Sequence, residues 1–266
     1  MNETCPHTTA GCLFDSHVHL DAPAFDADRA RVLHDARIAG VREMLVPAVD
    51  AASWPSLQAL CGSEPGLHPA YGLHPCYLAR HDDGDLAALA NWLRVHPAVA
   101  VGECGLDFFQ PGLDHERQSR LLHGHFEIAR AFDLPLVLHA RRAFEGIILE
   151  LRRFGKPLRG VVHSFSGSQE QARELWRLGF SVGIGGPVTY ARANRLRKIV
   201  ASLPRGSMLL ETDAPDQPSE RHHGRRNEPA FLVEILQCVA TLRGESPDEL
   251  AQATTANARR LFLGET

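Results

Sequence analysis

Val99-Ala100-Val101-Gly102-Glu103-Cys104-Gly105-Leu106-Asp107 is an apolar run that ends abruptly on a carboxylate held between two glycines. A strand apolar on both faces belongs to a buried parallel sheet. A carboxylate at its end is costly to bury unless charged partners compensate. Glycines on both sides permit close approach of backbone or ligand. Working outward, four more short apolar runs end on metal-favouring residues: Leu13–His17 running into Val18-His19, Pro135–Leu138 before His139, Gly160–Val162 before His163, and Met208–Thr212 before Asp213. All strands of a closed parallel barrel end on the same face, so residues distant in sequence can converge there.

The segments between these runs support that reading. Strands are predicted at 13–17, 44–49, 68–72, 99–103, 136–139, 160–163, 181–185 and 208–212. Helices are predicted near 26–40, 53–61, 85–95, 115–132, 142–154, 168–178, 190–202 and 227–242, with a last one near 247–263. Asp26, Ser53 and Ser168 are candidate N-caps, and Ser246-Pro247-Asp248-Glu249 has proline in the first turn and acids against the helix dipole. Gly40, Gly155 and Gly179 fall where helices should stop. Strand then helix, eight times over, specifies an α/β fold of the (β/α)8 TIM-barrel type, read as one domain over residues 1–266 with a short tail at 1–12. An open doubly wound sheet is the competing architecture; it would scatter the five fragments along a wide edge.

The chain has 266 residues, 44% hydrophobic and 23% charged, with a net charge of −4. That balance excludes a generally basic nucleic-acid binder, so phosphate recognition must be local. No apolar stretch reaches the roughly 20 residues of a membrane span, and the N-terminus lacks a signal-peptide pattern. Six scattered cysteines read as reduced thiols, and a cytoplasmic location is expected. The Cys5-Pro6-His7 segment is a minor candidate metal site.

His17 and His19 alternate by two and point to one side of a strand. An isolated HxH pair is weak evidence, and core or surface histidines account for many such pairs. Glu103 could equally be a salt-bridged carboxylate, His139 and His163 satisfied strand-end histidines, and Asp213 an N-cap. Their joint occurrence at strand termini favours a metal centre. Arg141, two residues after His139, and His74, at the end of the third strand, are candidate substrate-binding donors for phosphate. Arg221, His222, His223, Arg225 and Arg226 make the densest basic patch, in a long loop after the eighth strand. A solvated loop is the default for such a run; a groove for nucleic-acid backbone is the sharper reading. Phe108, Phe109, Phe165 and Tyr190 are candidates for base stacking.

Taken together, Asp15-Ser16-His17-Val18-His19-Leu20, Gly72-Leu73-His74-Pro75, Gly102–Asp107, Leu138-His139-Ala140-Arg141, His163-Ser164-Phe165-Ser166-Gly167, Gly185-Gly186-Pro187, Glu211-Thr212-Asp213-Ala214-Pro215 and Arg226-Asn227-Glu228-Pro229 resemble the TatD-like metal-dependent deoxyribonucleases of the amidohydrolase barrel superfamily. The likeness runs from about Leu13 to Phe262 and is nearest to the uncharacterised-hydrolase branch. Cys104 and Ala140 depart from the usual residues, and the loop 217–225 is less familiar. The resemblance implies that His17 and His19 bind a first metal, His139 and His163 a second, that Glu103 bridges them, and that Asp213 completes the first site and accepts the proton of the attacking water. It implies two divalent ions (Zn, Mg or Mn), catalytic roles for Asp213 and Glu103, and cleavage of DNA phosphodiesters by metal-activated water. A sequence-independent 3′–5′ exonuclease on single-stranded DNA is the expected form, with no membrane and no obligate protein partner. The alternative is an amidohydrolase-type enzyme acting on a small amide, lactone or ester, since one barrel supports several hydrolyses. A metal-binding module without catalysis is disfavoured because every ligand position is filled.

Overall fold

A computed structural model describes residues 12–265. The Cys5-Pro6-His7 segment lies outside the described residues. Eight strands form one parallel sheet in chain order: β1 (Leu13–Asp15), β2 (Val41–Pro47), β3 (Leu67–Tyr71), β4 (Ala100–Asp107), β5 (Leu136–Arg141), β6 (Gly160–Val162), β7 (Phe180–Ile184) and β8 (Met208–Leu210). The ring closes where Ser16 N donates to Leu210 O at 2.9 Å and Asp213 N donates to His17 O at 2.9 Å. The fold is a (β/α)8 barrel.

Helices α1 (Arg29–Ile38), α2 (Trp54–Ser63), α3 (Asp85–Val95), α4 (His115–Ala131), α5 (Phe144–Phe154), α6 (Gln169–Arg177), α7 (Asn194–Ser202) and α8 (Leu232–Arg243) alternate with the strands, and α9 (Pro247–Phe262) follows. Local chemistry sets several boundaries. Ser168 caps α6 in a capping box with Gln171, and Gly155 ends α5 in the left-handed conformation. Asp26 does not cap α1; it ends a short 3-10 turn over Pro23–Phe25, and Asp28 occupies the N-cap position without a side-chain bond. Ser53 precedes α2, but Asp50 supplies the capping carboxylate one turn earlier. The loop after β8 is not structureless, since it contains a 3-10 turn over Glu220–His222.

Alternation along each strand divides the core in two. Leu13, Met44, Val46, Tyr71, Val101, Leu138 and Val162 face the helices. Phe14, Leu45, Ala70, Ala100, Val137, Val161 and Leu209 form the barrel interior, which Ala258 and Phe262 of α9 close from below. The Phe14 and Phe262 rings stack with centroids 5.9 Å apart. Phe262→Ala should cost about 3–5 kcal/mol, because the plug leaves a cavity the strands cannot collapse into. Equilibrium urea unfolding checks this, and a loss below about 1 kcal/mol would show that α9 does not plug the barrel.

On β4 the alternation breaks. Ala100 points inward and Val101 outward, yet Glu103 reaches the interior and Cys104 returns to the helix side. The β4–β5 pairing shifts register between Val101 and Cys104, so an irregularity in the strand re-aims the carboxylate. Gly102 makes this possible: it lies at φ 146, and a Cβ there would sit 2.5 Å from Val137 O.

Candidate metal centre

Five strand ends build the site at the carboxyl-terminal mouth of the barrel. After β1, His17 and His19 bring their Nε2 atoms to 3.2 Å from each other. Asp213, just beyond β8, places Oδ1 3.7 Å from each of them. Glu103 Oε2 lies 3.2 Å from His17 Nε2 and 3.5 Å from His19 Nε2. The other oxygen, Oε1, lies 3.1 Å from His139 Nδ1 and 2.9 Å from His163 Nε2. Those two ring nitrogens are 3.2 Å apart. The carboxylate of Glu103 thus divides its oxygens between two groups of donors, and all six sequence-predicted metal-site residues meet.

The electrostatics suit cations. Burial, together with neighbouring His163, lowers His17 to about 4, so it presents a neutral ring. Burial opposes ionisation of Glu103, but His74, His163 and His17 outweigh it and hold the carboxyl well below its ordinary range. Burial likewise resists charging of His163, yet Glu103 draws it up to about 8. Buried nitrogens crowded on one carboxylate satisfy each other poorly: Glu103 Oε2 has no hydrogen-bond partner among the described residues. A buried, unpartnered carboxylate oxygen facing imidazole nitrogens fits divalent metal ions. Cations there would replace the protons that these rings otherwise borrow.

Supporting residues fix the donors. Asp107 Oδ2 accepts from His139 Nε2 at 2.9 Å, which leaves Nδ1 to face the centre, a carboxylate–histidine pairing typical of metal sites. Asp107 itself accepts from the N–H groups of Phe109 and Gln110. Asp213 adopts φ 58, a left-handed conformation that aspartate tolerates better than most, and its Oδ2 accepts from Gln217 Nε2. Below the site, Asp15 accepts from the N–H and hydroxyl of Thr212, while burial pushes its carboxyl up to about 7. Burial also pushes Glu211 up to about 8, and Gly183 is required opposite it, since a Cβ would fall 2.0 Å from Glu211 Oε2.

The predicted substrate-binding residues separate into groups. Arg141 stands exposed with its guanidinium 3.8 Å from the centroid of the Phe109 ring. Arg225 is exposed, and no carboxylate pairs with it among the described residues. Arg221 is exposed, 3.7 Å from Glu234. His74 and Arg226 differ from the substrate role read in the sequence. His74 Nδ1 accepts from Cys76 N, so Nε2 carries the proton and donates to Glu103 Oε1 at 3.0 Å; it positions the carboxylate. Arg226 donates to Asp28 Oδ2 at 2.7 Å and Glu228 Oε1 at 2.8 Å, and lies over Phe25. Its guanidinium straps the loop after β8 to the segment after β1 and is consumed there. His222 stacks on Phe231 and pairs with Glu234. Of the stacking candidates, Phe165 is buried against Phe144, whereas Phe108 and Phe109 are partly exposed at the mouth.

Gln217 and Asp107 escaped the sequence reading as site residues. Asp107 had a signal, as the last residue of the glycine-flanked run; Gln217 sits in a loop with no periodic pattern to place it. No described helix is long and apolar enough to cross a membrane.

Comparison with known proteins agrees with this geometry. The "Uncharacterized metal-dependent hydrolase YjjV" of Escherichia coli K12 is 42% identical over 254 residues, covering 94% of this chain and 98% of that protein. The crystal structure of that YjjV, a TatD homologue, superposes with a TM-score of 0.91 at 41% identity, covering 94% of this chain and 98% of the other. The "3'-5' ssDNA/RNA exonuclease TatD" of Erwinia billingiae is 36% identical over 258 residues, covering 94% and 98% of the two chains. Residues 14–263 match the family described as TatD related DNase, and the chain is a metal-dependent hydrolase belonging to that family.

Proposed function

We propose that this hydrolase cleaves DNA phosphodiester bonds, as a sequence-independent 3′–5′ exonuclease on single strands that works with two divalent ions (Zn, Mg or Mn). The observation that carries the reading is the division of Glu103: Oε2 faces His17, His19 and Asp213, while Oε1 faces His139 and His163. One anionic bridge between two donor groups is the arrangement that holds two dications close. Bound there, the ions would activate a water and neutralise a phosphoryl oxygen. The exonuclease reading is supported by relatives such as the Erwinia billingiae protein, whose name carries that activity.

The chain's own residues supply the rest. Asp213 keeps Oδ1 toward the first group while Gln217 occupies Oδ2, so the inner oxygen can take the proton of the attacking water. Arg141, flattened on Phe109 and two residues along β5 from His139, offers a planar donor. Arg225, exposed in the loop after β8, offers charge for the strand's backbone.

The test is an end-labelled oligonucleotide assay, single- and double-stranded, with Mg2+, Mn2+ or Zn2+ added. The expected result is stepwise shortening of the single strand from its 3′ end, abolished by chelator. No shortening with any of these ions, together with turnover of an amide or lactone panel, would replace this reading with the small-molecule one. Arg225→Ala should weaken oligonucleotide cleavage by roughly tenfold, the scale of one charge-assisted contact, and spare hydrolysis of a small phosphodiester. Equal losses on both substrates would remove Arg225 from strand binding.

A further inference from the structure

Against the outer side of the second donor group lies a thiol, Cys76, that the hydrolytic site does not use. Cys76 sits in the 3-10 turn Pro75–Arg80 after β3, half-buried and open to solvent. Its Sγ lies 3.2 Å from Asp107 Oδ2. The same oxygen is 2.9 Å from His139 Nε2. Donor atoms of His74, Cys76 and His139 all fall within 4.8 Å of one another. Zinc takes nitrogen, oxygen and thiolate ligands at about 2.0–2.3 Å in a tetrahedron, whose edges then come to about 3.3–3.6 Å. Sulfur to carboxylate oxygen at 3.2 Å and carboxylate oxygen to imidazole nitrogen at 2.9 Å lie within about half an ångström of those edges before any cation draws them together.

We propose that Cys76, Asp107 and His139 form a separate binding site for a soft divalent cation (Zn2+ or Cd2+), and that filling it disables the hydrolytic centre. The reason for the exclusion is that His139 belongs to both sets. A neutral imidazole has one lone pair. With the proton on Nε2, held by Asp107, the lone pair on Nδ1 faces Glu103 Oε1 at 3.1 Å and His163 Nε2 at 3.2 Å. With a cation on Nε2, the proton resides on Nδ1 and is donated to Glu103 Oε1, and the ring no longer offers a ligand to the inner group. Loading the outer site releases the Cys76 thiol proton, and any second imidazole proton, to solvent. The cation's charge is met by the thiolate and the Asp107 carboxylate.

Ligand chemistry sets which ions use the site. Thiolate selects soft ions, while Mg2+ and Mn2+ prefer oxygen and leave it empty. The protein would therefore run with Mg2+ or Mn2+, or with Zn2+ that occupies only the inner groups, and be silenced by Cd2+ or excess Zn2+ through a residue outside the reacting centre.

The test uses the full-length protein loaded with Mg2+ or Mn2+, titrated with Cd2+ and followed by the ultraviolet charge-transfer absorption of a cadmium–thiolate bond. The expected result is a one-equivalent band in the wild type that is lost in Cys76→Ser and in Cys76→Ala, while both variants keep the wild-type circular dichroism. A band of equal intensity in folded Cys76 variants would assign the thiolate to another cysteine and overturn the proposal. So would the absence of any band in the wild type. In parallel, the zinc or cadmium concentration that halves hydrolysis of the best substrate should rise at least tenfold in Cys76→Ser, with unchanged turnover under Mg2+ or Mn2+ alone. Equal inhibition of both proteins would overturn the exclusion. The absorption readout needs no substrate, so it stands apart from the exonuclease reading.

Discussion

Replacing Glu103 by alanine is expected to remove most bound metal and lower turnover by about a thousandfold or more, while the barrel still folds. The magnitude follows from the several kcal/mol of transition-state stabilisation that metal ions supply in such reactions, at tenfold per 1.36 kcal/mol. Glu103 is the only carboxylate among the described residues that touches both donor groups. Without it, four imidazoles would face two dications with only Asp213 to offset the charge. The fold should survive for two reasons. The side chain lies above the apolar interior made by Phe14, Leu45, Val137 and Leu209. Its histidine neighbours can also shed protons once their carboxylate is gone, which avoids leaving buried charge unpaired. Metal content by elemental analysis, circular dichroism and oligonucleotide cleavage measure the three parts. Two retained equivalents of metal, or full activity, would remove Glu103 from the bridging position. Glu103→Gln sharpens the result, because it keeps the shape and the bond from His74 but loses the charge.

The sequence made the barrel legible because the governing pattern is short-range. The strand runs are mostly apolar on both faces, as a sheet covered by helices requires, and five of the eight end on a residue whose chemistry announces the mouth. The histidines followed from simple alternation: Val137 and His139, or Val161 and His163, are two apart and share a face. Alternation alone would have placed Glu103 among the helices, because the irregularity at Gly102 reverses the phase. The glycines on either side were the visible trace of it. Long-range pairings were illegible. Arg226 looks like a phosphate ligand until Asp28, nearly 200 positions earlier, arrives beside it. His74 looks like a substrate donor until the ring brings it onto Glu103. In both cases the donor was read correctly, and its acceptor came from another element, the N-cap of α1 for Arg226 and β4 for His74. The basic rim available for a nucleic-acid strand is therefore smaller than the run from Arg221 to Arg226 suggests.

Asp213→Asn should leave the second donor group able to hold its ion and cut turnover by about 10²–10⁴-fold, the range for loss of a general base, with a smaller change in KM. Two roles are combined in this residue, and geometry offers a way to part them. Oδ1 lies 3.7 Å from both His17 Nε2 and His19 Nε2, farther than Glu103 Oε2 stands from the same nitrogens, so Asp213 is the looser member of the first group. Oδ2 is held by Gln217, which Ser164 in turn fixes through a hydroxyl bond of 2.9 Å to Oε1. That chain orients the carboxylate without neutralising it. Gln217→Ala should therefore lower turnover by only about tenfold, the lower end of what supporting contacts to such sites cost, with metal content unchanged. If the asparagine variant loses the first ion in proportion to its activity, Asp213 acts as a ligand alone. If it retains both ions and its activity, the proton of the attacking water goes elsewhere. Loss of turnover with metal retained, together with loss of the acid limb of the pH–rate profile, is the outcome that the proposed proton acceptor requires.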